Sequence, residues 1–413
     1  MKNENLVPKV RFKGFSDPWE QRKLGEMYYF KNGLNKGKEF FGFGTPIVNF
    51  VDVFHNRGLY AQNLNGRVNL TEKEINNFRV HKGDIFFTRT SETIEEIGFP
   101  SVMLSEPQDT VFSGFVLRGR SLEKPGQLVN IFKKYVFFTN AFRKEMVTKS
   151  SMTTRALTSG TALSAMRVKF PLEATEQKKI GELITRLDYL IAANEDKLEQ
   201  LKTLKKLMMQ KIFSQKWRFK GFTDPWEQRQ LKDVATLSSS KRIHLSDYSE
   251  SGIPFYRGSE ISSGTFNVSK QLYISKDLYK NIMQKYGVPK AGDILVTAVG
   301  TLGNVWKVDN REFYYKDGNL ILISKIKIDT DYLFSYLSED IGKNAMLGNA
   351  AGSNQKALTM VKLCEIVISY PSAKEQTRIA YLTSVLASLI AANEDKLNQL
   401  KKLKKYLMQN MFV

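Results

Sequence analysis

Leu190-Ile191-Ala192-Ala193-Asn194-Glu195-Asp196-Lys197-Leu198 recurs residue for residue at positions 389–397. It belongs to a longer match: residues 176–213 and 375–412 agree at 23 of 38 positions, at an offset of 199. Neither stretch contains Pro, and apolar residues alternate at spacings of four and three, the pattern of a two-helix seam. In the first copy the seam reads Ile180, Ile184, Leu187, Ile191, Asn194, Leu198, Leu201, Lys205, Met208, Ile212. In the second it reads Ile379, Thr383, Leu386, Ile390, Asn393, Leu397, Leu400, Lys404, Leu407, Met411. The spacing predicts two coiled-coil helices, each a rod of about 55 Å at 1.5 Å per residue. Asn194 and Asn393 take equivalent seam positions. Buried there, an amide fixes register because slipping leaves it unpaired; at the seam edge it is simply solvated. Both readings stand at this point.

A second repeat precedes each helix. Arg11-Phe12-Lys13-Gly14-Phe15-Ser16-Asp17-Pro18-Trp19-Glu20-Gln21-Arg22-Lys23-Leu24 returns at 218–231 with 12 of 14 positions identical, at an offset of 207. Two such matches in the same order make the chain a tandem duplication. Between them only echoes survive: Gly83-Asp84-Ile85 against Gly292-Asp293-Ile294, Thr45-Pro46-Ile47-Val48 against Gly252-Ile253-Pro254-Phe255, and Ala156-Leu157-Thr158 against Ala357-Leu358-Thr359. Fixed landmarks with diverged contents suggest one fold carrying two specificities; neutral drift of a structural repeat is the alternative.

Each half reads as a globular part followed by a long helix. Short β-rich runs such as Asp84-Ile85-Phe86-Phe87-Thr88 and Asp293-Ile294-Leu295-Val296-Thr297 are punctuated by Gly, Asn and Asp. Helical patches are expected at 128–148 and 331–342. The predicted fold class is α+β: two mixed α/β domains, at 1–169 and 217–369, with helical spacers at 170–216 and 370–413. The first helix leads within a few residues into Trp217-Arg218-Phe219, and the second closes near Val413. These ends predict a pseudo-twofold ring in which the two helices pair antiparallel and both chain ends meet.

The 413 residues hold 62 Lys and Arg against 42 Asp and Glu, a formal charge of +20. The two helices account for +2 and +3, so +15 falls to the globular parts and short ends. An excess of that size favours a polyanionic partner. The single cysteine, Cys364, excludes a disulfide framework and a cysteine-based zinc site. The opening Met1-Lys2-Asn3-Glu4-Asn5 is unlike a signal peptide, and no apolar run approaches the roughly 18 residues of a membrane span. A cytoplasmic protein is expected.

Catalytic parts are missing from the sequence. His55, His81 and His244 stand in unrelated contexts, and no Gly-x4-Gly-Lys-Ser/Thr loop occurs. Gly33-Leu34-Asn35-Lys36-Gly37-Lys38-Glu39 has the wrong spacing and lacks the hydroxyl that would hold magnesium. Gly42-Phe43-Gly44 lacks the third glycine and the βαβ setting of a dinucleotide site. No Asn/Asp-Pro-Pro-aromatic tetrapeptide appears. No metal site is expected.

Polar loops offer base-reading chemistry instead. Arg can clamp a guanine edge, Asn or Gln an adenine, and Ser or Thr either. The candidates are Arg89, Thr90, Ser91, Thr93, Thr154 and Arg155 in the first half, and Thr301, Asn304, Asn354 and Gln355 in the second. Lys36, Lys38, Arg57, Lys241, Arg242, Arg257 and Lys356 are candidate phosphate partners, which position without specifying.

The repeated Pro18-Trp19-Glu20 and Pro225-Trp226-Glu227 openings, the paired Gly-Asp-Ile strands, and the Phe170-Pro171…Glu176-Gln177 and Tyr370-Pro371…Glu375-Gln376 helix entries belong together. As a set they resemble the specificity subunit of a type I restriction–modification enzyme, over essentially the whole chain. The resemblance implies two target-recognition domains, each reading one half of a split, asymmetric site in double-stranded DNA. It implies that the helices set the gap and dock two methyltransferase subunits, and that motor-nuclease subunits complete the complex. S-adenosylmethionine, magnesium and ATP would be bound by those partners and none by this chain, which would be non-catalytic by itself. A stand-alone bipartite DNA-binding regulator, or a coiled-coil adaptor, shares the charge and the duplication; a regulator usually adds a helix-turn-helix head, and none is visible here.

Overall fold

The repeated 14-residue anchor does the same mechanical work in both halves. The computed structural model describes residues 6–122, 127–262, 265–266, 271–348 and 357–413. It comprises two units, Met1–Glu195 with Asp395–Val413, and Asp196–Glu394. Each unit joins one head to parts of both long helices, Ala174–Phe213 and Ala373–Asn410.

In the first unit the Arg11 guanidinium forks onto Glu176 at the start of the helix, 2.7 and 2.8 Å from its two oxygens. In the second, Arg218 forks onto Glu375 at 3.1 and 2.6 Å. The neighbouring glutamines complete the joint. Gln177 accepts the Val129 N–H at 2.7 Å and donates to the Pro171 carbonyl at 2.8 Å. Gln376 accepts the Asp329 N–H at 2.8 Å and donates to the Pro371 carbonyl at 2.7 Å. Both glutamines and both glutamates are buried, so each polar group needs these partners. The Glu-Gln pair is repeated because it ties helix to head.

The anchor's next residues form a two-stranded closure. Glu20–Lys23 pairs antiparallel with Arg167–Phe170, and Glu227–Gln230 with Val367–Tyr370. The adjacent Trp19 is buried edge-on against Phe132 and Phe412, and Trp226 against Tyr332. Phe412 follows the end of the second long helix; its repeat equivalent, Phe213, ends the first and packs on Tyr332 and Tyr336. The Val10 N–H donates to the Asn410 carbonyl at 2.9 Å, and the Trp217 N–H to Lys211 at 3.1 Å. In the first unit, therefore, chain positions 10 and 410 are hydrogen-bonded neighbours.

Within each unit the long helices pair antiparallel. In the first, Lys401 meets Glu195 at 2.6 Å and Lys404 meets Asp188. In the second, Lys202 meets Glu394 at 2.7 Å, and Thr383 lies 3.3 Å from the Met209 sulfur. Ile180, Leu187, Asn194, Ile379, Leu386, Asn393 and Leu397 are buried, and Ile191, Leu198, Leu201, Ile390 and Leu400 half-buried. Each seam asparagine donates its amide to its own helix, Asn194 to the Leu190 carbonyl at 2.6 Å and Asn393 to Leu389 at 2.8 Å. The amides are therefore buried, but bonded back by one turn rather than across the seam.

The first head is built on a five-stranded sheet in the order Tyr28–Asn32, Val116–Ser121, Ile85–Thr88, Pro100–Met103, Gly58–Leu59. The second is built on a four-stranded sheet in the order Thr236–Ser238, Leu320–Ser324, Ile294–Thr297, Val305–Lys307. Ile85–Thr88 and Ile294–Thr297 are buried along their whole length, as their unbroken apolar runs require. A parallel pair recurs in both heads: Ile47 opposite Val111, and Phe255 opposite Tyr314. The expected single helical patches are each two helices, Asn130–Val136 with Asn140–Lys149, and Thr330–Ser338 with Asp340–Gly348. Thr139 is extended and caps the Phe142 N–H with its hydroxyl, which ends one helix and begins the next. Among the described residues no helix is long and apolar enough to cross a membrane.

Candidate nucleic-acid interface

In each head a buried threonine ends the central strand and pins the loops around it. Thr88 donates its N–H to the Phe99 carbonyl at 3.1 Å, and its hydroxyl accepts the Phe99 N–H at 2.9 Å. Thr297 holds the 301–304 loop through its side chain: its hydroxyl accepts the Asn304 N–H at 2.9 Å and donates to the Thr301 carbonyl. Gly303 closes that turn at φ +73°, a conformation unfavourable to a side chain, and donates to the Thr297 carbonyl at 2.9 Å.

Beyond Thr88 the first head gathers several of the base-reading candidates. Thr90-Ser91 pairs with Ala156-Leu157, which sets exposed Thr154 and Arg155 on the hairpin turn just before that strand. Thr90, Ser91 and Arg155 share a cavity of about 470 Å³ with Phe50, Phe54, Glu92, Glu96 and Phe115. Arg89 is half-buried and does not line the cavity; its backbone N–H donates to the Phe115 carbonyl at 3.0 Å. Thr93 donates its hydroxyl to Glu96 at 3.1 Å. One wall of the cavity is backed by stacked rings: Phe50 on Phe54 at 5.4 Å, and Phe54 on Phe99 at 5.2 Å.

In the second head Thr301 is exposed and Asn304 half-buried on the loop that Thr297 holds. Asn354, Gln355 and Lys356 lie outside the described residues.

The phosphate candidates divide by what already holds them. Lys36 pairs with Glu74 at 2.8 Å and pulls that carboxyl down to about 2. Arg242 meets Asp317 at 3.0 Å. Arg257 forks onto the buried Glu260, which raises its pKa. Arg57 lies over the Phe138 ring at 4.1 Å, and burial lowers its pKa against the opposing pull of Asp188. Lys38 and Lys241 are exposed, Lys241 with its ammonium 5.6 Å from the Tyr286 ring centre. The two exposed lysines thus present the least compensated charge of the group.

Sequence reasoning passed over Phe115 and its counterpart Asn319. The signal was a glycine before an apolar strand in both halves, Ser113-Gly114-Phe115-Val116 and Asp317-Gly318-Asn319-Leu320, but no side chain is shared to mark it.

Duplicated α+β heads on long helices are also the fold of solved type I restriction–modification S subunits. The chain superposes on the S subunit of the type I restriction–modification system of M. genitalium with a TM-score of 0.59 at 15% identity, covering 98% of this chain and 99% of that one. Residues 223–402 match the family model described as the type I restriction modification DNA specificity domain. Through those residues the chain is similar to the type I restriction–modification specificity family. A putative specificity subunit of Haemophilus influenzae is 34% identical over 163 residues, which span 39% of this chain and 40% of that protein. A putative specificity subunit of Methanocaldococcus jannaschii, of the MjaX enzyme, is 24% identical across 98% of this chain and 95% of its own.

Proposed function

We propose that this chain is the DNA-reading subunit of a type I restriction–modification complex and recognises a bipartite, asymmetric duplex target. Domains 1–169 and 217–369 each read one half-site, and the helical segments 170–216 and 370–413 set the unspecified gap and dock two methyltransferase subunits. The chain itself carries no catalysis: S-adenosylmethionine, magnesium and ATP are used by the methyltransferase and motor-nuclease subunits, in the cytoplasm.

The observation that carries this reading is a constant frame holding unlike contents. Thr88 and Thr297 end equivalent buried strands, yet the loops beyond them are Arg89-Thr90-Ser91 in one head and Ala298-Val299-Gly300 in the other. Two readers of one plan but different side chains suit two different half-sites. The net charge of +20 suits a phosphate backbone. The test is to exchange residues 25–165 for those of another family member and map methylated adenines in the host genome. One half-site changes while the other half-site and the gap persist; simultaneous change of both half-sites contradicts the assignment.

A further inference from the structure

Phe115 and Asn319 occupy one place in two heads. In the first, Val116 lies opposite Thr88 across the sheet; in the second, Leu320 lies opposite Thr297. The residue preceding the strand is therefore Phe115 in one and Asn319 in the other. Backbone bonds repeat the equivalence. Arg89 N–H donates to the Phe115 carbonyl at 3.0 Å, and Ala298 N–H to the Asn319 carbonyl at 2.8 Å. One link further, Thr158 N–H donates to the Arg89 carbonyl at 3.1 Å, and Leu358 N–H to Ala298 at 2.9 Å. At this position the main chain carries the structural bonds in both heads, which leaves the side chain free to differ.

What differs is chemically pointed. Phe115 is 63% exposed. An isolated exposed aromatic is ordinary, but this ring stands at a cavity that it shares with Phe50, Phe54, Thr90, Ser91, Arg155 and the carboxylates of Glu92 and Glu96. An apolar wall beside hydroxyls and a guanidinium matches the mixed edge of a base pair in the major groove. There the thymine C5-methyl is the one apolar feature. Asn319 offers the opposite chemistry, an amide able to pair with the N6 and N7 of adenine. Two residues before it, Asp317 holds Arg242, a candidate phosphate partner, at 3.0 Å.

We infer that Phe115 and Asn319 are equivalent base-reading residues, one per half-site, Phe115 packing on a thymine methyl and Asn319 hydrogen-bonding an adenine. The inference rests on the proposed DNA-reading function and adds to it the position and base class in each head.

The experiment selects a randomised duplex pool on the purified complex of the full chain with its methyltransferase subunits, comparing wild type with Phe115→Ala and Asn319→Ala. Wild type enriches a bipartite sequence. Phe115→Ala relaxes one T·A pair in one half-site, and Asn319→Ala one A·T pair in the other, each by roughly tenfold in preference. The two substitutions lie in separate heads, and both spare the backbone bonds, so either arm reads independently of the other's folding. Enrichment unchanged at every position in both variants, or relaxed evenly across both half-sites, overturns the inference. Failure of the wild type to enrich any bipartite sequence would instead overturn the DNA-reading function itself.

Discussion

Glu176 is buried at the head of the first long helix against the guanidinium of Arg11, a residue 165 positions earlier in the chain. The carboxylate is 1% exposed and the Arg11 side chain 12%, so water cannot replace either partner. Arg11→Ala should cost about 3–5 kcal/mol, because it strands a buried charge. Arg11→Lys should recover only part of that, since an ammonium cannot fork onto both oxygens. Removing both charges with Arg11→Met and Glu176→Leu should cost less than Arg11→Ala alone. Denaturant melts of the four proteins measure this, and a double variant worse than the single would contradict the pairing argument. Arg218 and Glu375 should behave alike.

Lys133 makes the first head pH-sensitive. It is buried, donates to the Gly83 carbonyl at 3.0 Å, and burial lowers its pKa to about 8, with Asp84 pulling the other way. A lysine depressed on folding binds fewer protons native than unfolded between about pH 8 and its ordinary value of about 10.5. Stability therefore rises with pH across that window, and the penalty is present in full below about pH 8. The equivalent position in the second head is the fully buried Leu333. Lys133→Leu should therefore stabilise the first head at pH 7 by up to about 3 kcal/mol, less the bond lost to Gly83. Melts at pH 7 and pH 10 should show that advantage shrinking as pH rises; a constant difference would contradict it.

The seam asparagines set no register in this structure, because each is bonded within its own helix. Asn194→Leu and Asn393→Leu should each raise stability by about 1 kcal/mol, by replacing a buried amide with packed carbon. A zero-length carboxyl–amine cross-link between Glu195 and Lys401, which lie 2.6 Å apart, should form equally in wild type and variants. Loss of that cross-link would restore a registering role to the amides.

The uneven state of the head cations predicts uneven salt effects. Lys38→Ala and Lys241→Ala should weaken DNA binding across all sequences and each lower the slope of log affinity against log salt by about 1. Arg257→Ala should act mainly on folding, since it leaves Glu260, 3% exposed, without its guanidinium. Titrations at several salt concentrations, paired with melts, separate the two behaviours. Equal slopes for Lys38→Ala and wild type would remove that lysine from the phosphate-binding set.

The long helices were legible because a 4,3 seam repeats over many turns, so Ile180 and Leu187, or Ile379 and Leu386, announce one another within a few positions. The tie between Arg11 and Glu176 was not, although both are repeated, because nothing local relates residues so far apart. The helical patch at 128–148 hid a break because one extended residue, Thr139, suffices to split it, and threonine occurs inside helices too. Arg57 reads as a surface cation from its neighbours in sequence; only the fold lays it over Phe138. Phe115 and Asn319 share no chemistry, and it is strand register that relates them. Side-chain periodicity is written in the sequence, whereas equivalence carried by the backbone emerges only on folding.

The central claim is that two heads read two half-sites at a gap set by paired helices. Inserting four residues into each long helix adds about 6 Å, close to two base-pair steps of about 3.4 Å. Long-read mapping of methylated adenines in a strain carrying that protein tests the claim most directly. The account predicts both half-sites unchanged and the gap between them about two base pairs longer. An altered half-site with an unchanged gap would contradict it.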